Sequence, residues 1–113
     1  MPEPEHLTAL EQLLLLSTLR IGEGAYAAAI RDDVLETAGR SVSLGTIYVT
    51  LMRMEERGYA ESAMGEPTPE RGGKAKRLYG VTPEGQRALT RMREIQKRMW
   101  EGMPDADGAA ETA

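Results

Sequence analysis

The sequence predicts a mainly α-helical fold with one small β-hairpin, in the order helix, helix, helix, strand, strand, helix. Two observations lead to this prediction. Four segments carry apolar residues at helical spacing, and three of them follow recognisable capping residues. Two short β-compatible segments, 59–64 and 76–81, enclose a loop that contains two prolines and three glycines. The length of 113 residues fits a single domain with a modest core.

The first helix is predicted to start after Thr8 and to run to about Arg20. Thr8 and Glu11 match a capping box, and Gly22 ends the helix. Its apolar residues cover more than one face, at positions 10, 13, 14, 15, 16 and 19. One face can pack on the same chain. The other face needs a partner, for which a second copy of the chain is the simplest candidate.

A second helix is predicted over 25–38 and a third over 44–57, with Gly39 and Gly58 just past their ends. Ser43 is the predicted N-cap of the third helix. Each helix has an apolar stripe that should face the core. These stripes are Tyr26, Ile30 and Val34 in the second helix, and Leu44, Ile47, Leu51 and Met54 in the third.

The sequence Thr82-Pro83-Glu84 predicts the start of a fourth helix that runs to about Glu101. Its apolar residues follow a heptad-like spacing, which is typical of a seam between two helices. They are Ala88, Met92, Ile95 and Met99. The segments 1–6 and 104–113 are acidic or rich in small residues, and they are predicted to be disordered.

Charge is distributed unevenly along the chain, whose net charge is -4. Residues 40–98 contain twelve Lys and Arg against seven acids, a net charge of +5, whereas 1–39 carry -5 and 99–113 carry -4. Within the basic centre, residues 71–98 hold nine bases and two acids. Concentrated basic charge favours a phosphate-bearing partner, although a solvated helix face alone gives the same pattern.

The short segment 39–42 separates the second and third helices by a helix-turn-helix spacing. With the hairpin and its basic loop, residues 7–82 are predicted to form a winged helix-turn-helix domain, followed by a C-terminal helix over 83–101. A helix in the major groove needs small or hydrogen-bonding residues near its start. Gly45, Thr46 and Thr50 meet that need. The same elements occur in winged-helix protein–protein interaction modules without DNA binding, which is the alternative interpretation.

The composition argues against several other classes of protein. There are no cysteines, which excludes disulfides, cysteine zinc sites and thiol nucleophiles. His6 is the single histidine, so conventional nucleophile–base pairs cannot be built, and no cofactor or metal site is predicted.

The leucine run at 13–16 is far shorter than the ~20 residues that a bilayer span requires. The acidic N-terminus lacks the basic start of a signal peptide. We expect a non-enzymatic, cytoplasmic protein with no membrane partner.

Four segments resemble the PadR-type family of transcriptional regulators, together covering about residues 7–100. They are 7–11, 24–30, 45–59 with its Gly45-Thr46-Ile47-Tyr48 start, and the wing and exit over 71–85. The resemblance implies a short-chain PadR-type repressor that binds a double-stranded DNA operator as a homodimer through one C-terminal helix. Val49 departs from the family pattern, since many members have proline after the tyrosine.

The predicted site residues fall into three groups. The DNA-binding residues are Ser43, Thr46, Tyr48, Val49, Thr50, Arg53, Arg71, Lys74, Lys76 and Arg77. The dimer-interface residues are Leu13, Leu16, Leu89, Met92, Ile95 and Met99. Tyr48 is expected to bury its ring and offer its hydroxyl to a phosphate, and Arg53 to contact phosphate. A lone tryptophan such as Trp100 usually fills a core gap; by resemblance, Trp100 instead lines a dimer pocket for a small hydrophobic inducer.

Overall fold

The computed structural model describes residues 6–66 and 75–104. The segments 1–5 and 105–113, most of the two predicted disordered ends, lie outside the described residues. The predicted mainly helical fold with a two-stranded antiparallel hairpin is confirmed. Its elements are α1 Ala9–Ile21, α2 Ala27–Ala38, α3 Leu44–Glu56, β1 Ala60–Met64, β2 Arg77–Val81 and α4 Pro83–Trp100.

The helix starts follow the predicted capping chemistry. The hydroxyls of Thr8, Ser43 and Thr82 accept hydrogen bonds from backbone N–H groups three residues ahead, at 3.0–3.1 Å. At α2 the prediction was two residues too early. Tyr26 has an extended backbone and occupies the N-cap position without a side-chain cap bond, so the helix begins at Ala27.

The core lies where the first three helices meet. Its fully buried large side chains are Leu14, Leu15, Ile30, Ile47, Leu51 and Met54. Tyr79 of the hairpin and Ala88 of α4 close this core from the other side. Leu44, the first residue of the predicted α3 stripe, is half-buried and packs on the rim. The three-helix core therefore fixes the rotation of α3 about its own axis.

The hairpin is attached to the helices through its backbone. Residues 60–64 pair with 77–81 in antiparallel register, with Ala60 opposite Val81. The Tyr79 N–H donates to the Ala25 carbonyl at 2.8 Å, which joins β2 to the residues just before α2. Burial raises the pKa of the Tyr79 hydroxyl, and the nearby Glu55 charge raises it further. The hairpin thus leaves the helical core in a defined direction.

A cluster of contacts around Thr82 docks α4 on the rest of the fold. The Thr82 hydroxyl donates to the Gly58 carbonyl at 2.6 Å, and its N–H donates to the Tyr59 carbonyl at 3.1 Å. Gly85 and Leu89 are buried in the first half of the helix, whereas 93–94 and 96–100 are exposed. The second half of α4 therefore projects from the domain. No helix within 6–66 and 75–104 is long and apolar enough to cross a membrane.

The carboxylate of Glu11 joins the start of α1 to the end of α3. One oxygen accepts from the Thr8 N–H at 2.8 Å, and the other accepts from Arg57 at 2.9 Å. Glu11 is almost fully buried, so its removal leaves the Arg57 guanidinium without its ion-pair partner. We expect Glu11→Ala to lower the free energy of unfolding by about 2 kcal/mol in urea titrations. Glu36→Ala, on exposed α2 surface, is the control; equal midpoints for the two variants would contradict this role.

Candidate nucleic-acid interface

The outer face of α3 is set by what its inner face buries. Ile47, Leu51 and Met54 point into the core, so the residues between them face outward. The predicted residues on this helix all lie on accessible surface. Ser43, Thr46, Tyr48, Val49 and Arg53 are exposed and Thr50 is half-buried. The structure therefore leaves all six predicted residues of this segment accessible, with Tyr48 and Thr50 at opposite edges of the outer face.

Three hydroxyls on this face are in different hydrogen-bonding states. The Ser43 hydroxyl accepts from the Thr46 N–H at 3.1 Å and donates to the Thr46 hydroxyl at 3.0 Å. The Thr50 hydroxyl donates to the Thr46 carbonyl at 2.7 Å. Thr46 therefore keeps its own O–H for an outside acceptor, whereas Thr50 can only accept from an outside donor.

The expectation for the Tyr48 ring was wrong, because its side chain is 50% exposed. Tyr48 follows the fully buried Ile47 and lies about 100° further around the helix. The described elements that pack on α3, which are α1, α2 and β1, leave this side open. About half of the Tyr48 side chain is thus accessible to a partner.

Gly45 is in the first turn of α3, and nothing in the fold requires a glycine there. Its φ is not in the left-handed region, and an added Cβ would have no atom within 4 Å. Alanine is the better helix former at such a position. The bare backbone is therefore explained by close approach of an outside molecule better than by packing.

The base of the wing is held against its own domain, which the sequence did not indicate. The Lys76 ammonium lies 3.5 Å from the centre of the Tyr26 ring, within cation–π range. Arg77 donates to the Ser62 hydroxyl at 3.0 Å, and that hydroxyl donates to Glu55 at 2.8 Å. Both cations thus orient the hairpin as well as adding charge. The other two predicted wing residues, Arg71 and Lys74, lie outside the described residues.

Glu55 and Ser62 are residues that sequence reasoning missed. Together with Arg77 they link the end of α3 to both strands of the hairpin. Their separations along the chain, 7 and 15 residues, follow no local pattern that a sequence reading detects. Glu55 meets Ser62 because β1 packs on α3, and Arg77 meets Ser62 through the register that places Ser62 opposite Tyr79.

The predicted dimer-interface residues divide into two sets. Leu13, Leu89 and Met92 pack on their own core, and Leu89 is nearly enclosed because α4 docks there. Leu16 and Met99 are exposed, Ile95 is half-buried, and Leu19 adds a further exposed leucine on α1. A groove of about 330 Å³ runs between α1 and α4 beside these residues. The outer faces of α1 and α4 thus present accessible apolar side chains on both sides of this groove.

Trp100 is at the last residue of α4 and its side chain is 62% exposed. It fills no gap in the core of its own chain, so that expectation was wrong. The cause is the length of α4, whose final turns extend past the domain. Within the described part of the chain, no group of three or more His, Asp or Glu side chains is placed to hold a metal ion.

Comparison with known proteins places this geometry in a family. The model of the Transcriptional regulator PadR-like family matches residues 15–91. No curated protein matches the chain at a significant level. A PadR family regulator from Clostridium difficile is 30% identical, with a TM-score of 0.54 over 79% of this chain and 85% of that one.

Two further solved structures have a similar fold. A PadR-like transcription factor from Bacteroides fragilis is 26% identical, with a TM-score of 0.64, 79% of this chain covered and 82% of that one. RosR from H. salinarum is 24% identical, with a TM-score of 0.67, and the match covers 97% of this chain and 90% of that one. The chain belongs to the PadR-like family of transcriptional regulators, which are DNA-binding winged-helix proteins and not enzymes.

Proposed function

We propose that this protein is a homodimeric, sequence-specific repressor that releases its operator in response to a ligand or partner. The observation that carries the proposal is the outer face of α3, which offers a free hydroxyl donor and exposed apolar side chains beside a basic hairpin. In this proposal residues 7–82 bind DNA and 83–101 form the dimer. Each α3 enters a major groove, and the two helices lie roughly 34 Å apart, one turn of DNA.

Dimerisation is supported by unpartnered apolar surface and by charge. Leu16 and Leu19 on α1, and Met99 on α4, are exposed in the single chain. The segment 1–39 has a net charge of -5, whereas 83–98 holds five bases and two acids, a net charge of +3. Antiparallel approach of α4 from one copy to α1 of the other joins their apolar surfaces. The net charge of α1 itself is zero, since it carries only Glu11 and Arg20, so the acids elsewhere in 1–39 attract the basic α4 only around that contact.

Release is proposed to act through the projecting end of α4. In this proposal the C-terminal ends of the two α4 helices also meet, so a small hydrophobic compound seated between the copies would contact the exposed Trp100 ring. Titrating the dimer with planar hydrophobic compounds should quench the Trp100 fluorescence. If no compound of a broad panel changes that emission, inducer binding at this position is excluded.

The proposed function is tested by two measurements on the full chain. A gel shift with the DNA upstream of the protein's own gene, repeated over a salt series, should give a shift that weakens steeply as salt rises. Light scattering should give the mass of a dimer. A chain that shifts no DNA at low salt would favour the protein–protein interaction module. A monomer that still shifts DNA would reject the homodimer and keep the DNA-binding function.

Gly45→Ala is expected to separate stability from DNA binding. Because the added methyl group meets nothing in the fold, the helix should gain about 0.5 kcal/mol in free energy of unfolding. The same methyl group stands between α3 and the groove floor, so operator affinity should fall about tenfold, which is about 1.4 kcal/mol. Thermal melting and a binding isotherm on the same preparation check both halves. An unchanged dissociation constant would place Gly45 outside the interface.

A further inference from the structure

The outer face of α3 has an apolar stripe beside its polar one. Val49 and Met52 are 42% and 53% exposed, although valine and methionine are among the residue types most often buried. They are three residues apart and therefore adjacent on the helix surface, and Gly45 precedes Val49 on the same line. This stripe of Gly45, Val49 and Met52, here called the apolar stripe, contains no hydrogen-bonding side chain apart from a weakly accepting thioether.

The chemistry of the apolar stripe selects among the base edges of the major groove. Each base presents hydrogen-bond donors or acceptors there, and thymine alone adds an apolar group, its 5-methyl. Val49 and Met52 cannot satisfy a polar edge, so placing them against cytosine or guanine would leave polar groups without partners. Against a thymine methyl they bury apolar surface, and the flexible methionine can adapt its shape to the contact.

The polar residues beside the apolar stripe can form only a few hydrogen bonds to base edges. Thr46 offers one donor, Thr50 is restricted to accepting, and Arg53 makes no hydrogen bond or ion pair with the part of the chain that the structure describes. There is no asparagine or glutamine on α3 to read adenine with two bonds. Apart from the free donor of Thr46 and the guanidinium of Arg53, the side chains left to discriminate between bases on this face are those of the apolar stripe.

We propose that Val49 and Met52 read the 5-methyl groups of two thymines in each operator half-site. The proposal rests on the proposed function, since it requires α3 to lie in the major groove. The two residues are separated by about 4.5 Å along the helix axis, close to the spacing of about 3.4 Å between base pairs. The two thymines therefore belong to adjacent base pairs, with Val49 serving the one nearer the start of α3.

The test uses duplexes that the full chain selects from a random-sequence pool. In the selected sequence, each thymine is replaced singly by deoxyuracil, which removes the methyl group and leaves every hydrogen-bonding group in place. Replacement at two adjacent positions in each half-site should raise the dissociation constant about fourfold. Replacement at the other positions should leave the dissociation constant unchanged. Val49→Ala should abolish the sensitivity at one position and Met52→Ala at the other.

Leu35→Ala is the control variant, because Leu35 is equally exposed but lies on α2. It should keep the full sensitivity at both positions. If no deoxyuracil replacement changes the affinity for the selected sequence, this inference is overturned and the proposed function is kept. Sensitivity that persists in both alanine variants would also overturn it. Failure to enrich any duplex, with no shift on random DNA at low salt, would overturn the proposed function itself.

Discussion

Gly85→Ala is expected to lower the free energy of unfolding by about 3 kcal/mol and the melting temperature by about 15 °C. A Cβ at position 85 would overlap the Tyr59 carbonyl oxygen and lie 2.7 Å from a methyl group of Val81. The carbonyl cannot move aside cheaply, because it accepts the Thr82 N–H at 3.1 Å. Relief of the overlap must shift α4 away from the hairpin, and buried Ala88 and Leu89 shift with it.

Gly45→Ala is the matched control, since it makes the same chemical change in the first turn of α3, where the added carbon has no atom within 4 Å. Thermal melting followed by circular dichroism should show a large drop for Gly85→Ala and none for Gly45→Ala. If the two variants melt within a few degrees of each other, α4 does not depend on the close approach at Gly85.

The second large effect is expected in the wing. Replacing Arg71, Lys74, Lys76 and Arg77 together by alanine should weaken binding to every DNA sequence, by about 100-fold at moderate salt. The plot of log affinity against log salt should become shallower by about two to four units, since each lost phosphate contact contributes about 0.9. Selectivity among operator variants should change little, because phosphate contacts carry no sequence information directly.

Two double variants divide this effect between charge and geometry. Lys76 and Arg77 hold the hairpin on Tyr26 and Ser62, so their double alanine variant should also lower the melting temperature. Arg71→Ala with Lys74→Ala tests the loop without removing those contacts. Lys97→Ala with Arg98→Ala removes the same charge from α4 and should leave the salt slope unchanged. Full affinity and an unchanged slope in the fourfold variant would reject the wing as a phosphate-binding element.

The parts of the fold that local chemistry determines were predictable from the sequence. The caps at Thr8, Ser43 and Thr82 depend on residues three positions away, and the α3 stripe depends on helical spacing alone. For the same reason the outward set on α3 could be identified once Ile47 and Leu51 were placed in the core.

The parts that the sequence could not predict depend on long-range geometry. The contact between the Lys76 ammonium and the Tyr26 ring joins residues that are fifty positions apart in the chain. The exposure of Tyr48 depends on where neighbouring elements end, and the nearly complete burial of Leu89 depends on how α4 docks. The need for glycine at position 85 follows from the path of the Tyr59 backbone, which no spacing rule predicts.

The joint at Thr82 has a mechanical consequence for a two-copy regulator. The Thr82 hydroxyl donates to the Gly58 carbonyl just past α3 and also caps α4. The start of α4 is therefore held directly against the end of α3. A compound that changes the angle between the two α4 helices of the dimer would therefore rotate each α3 together with its α4. The two α3 helices would then no longer match two major grooves one turn of DNA apart, and the operator would be released. Each domain would remain folded and able to bind DNA again.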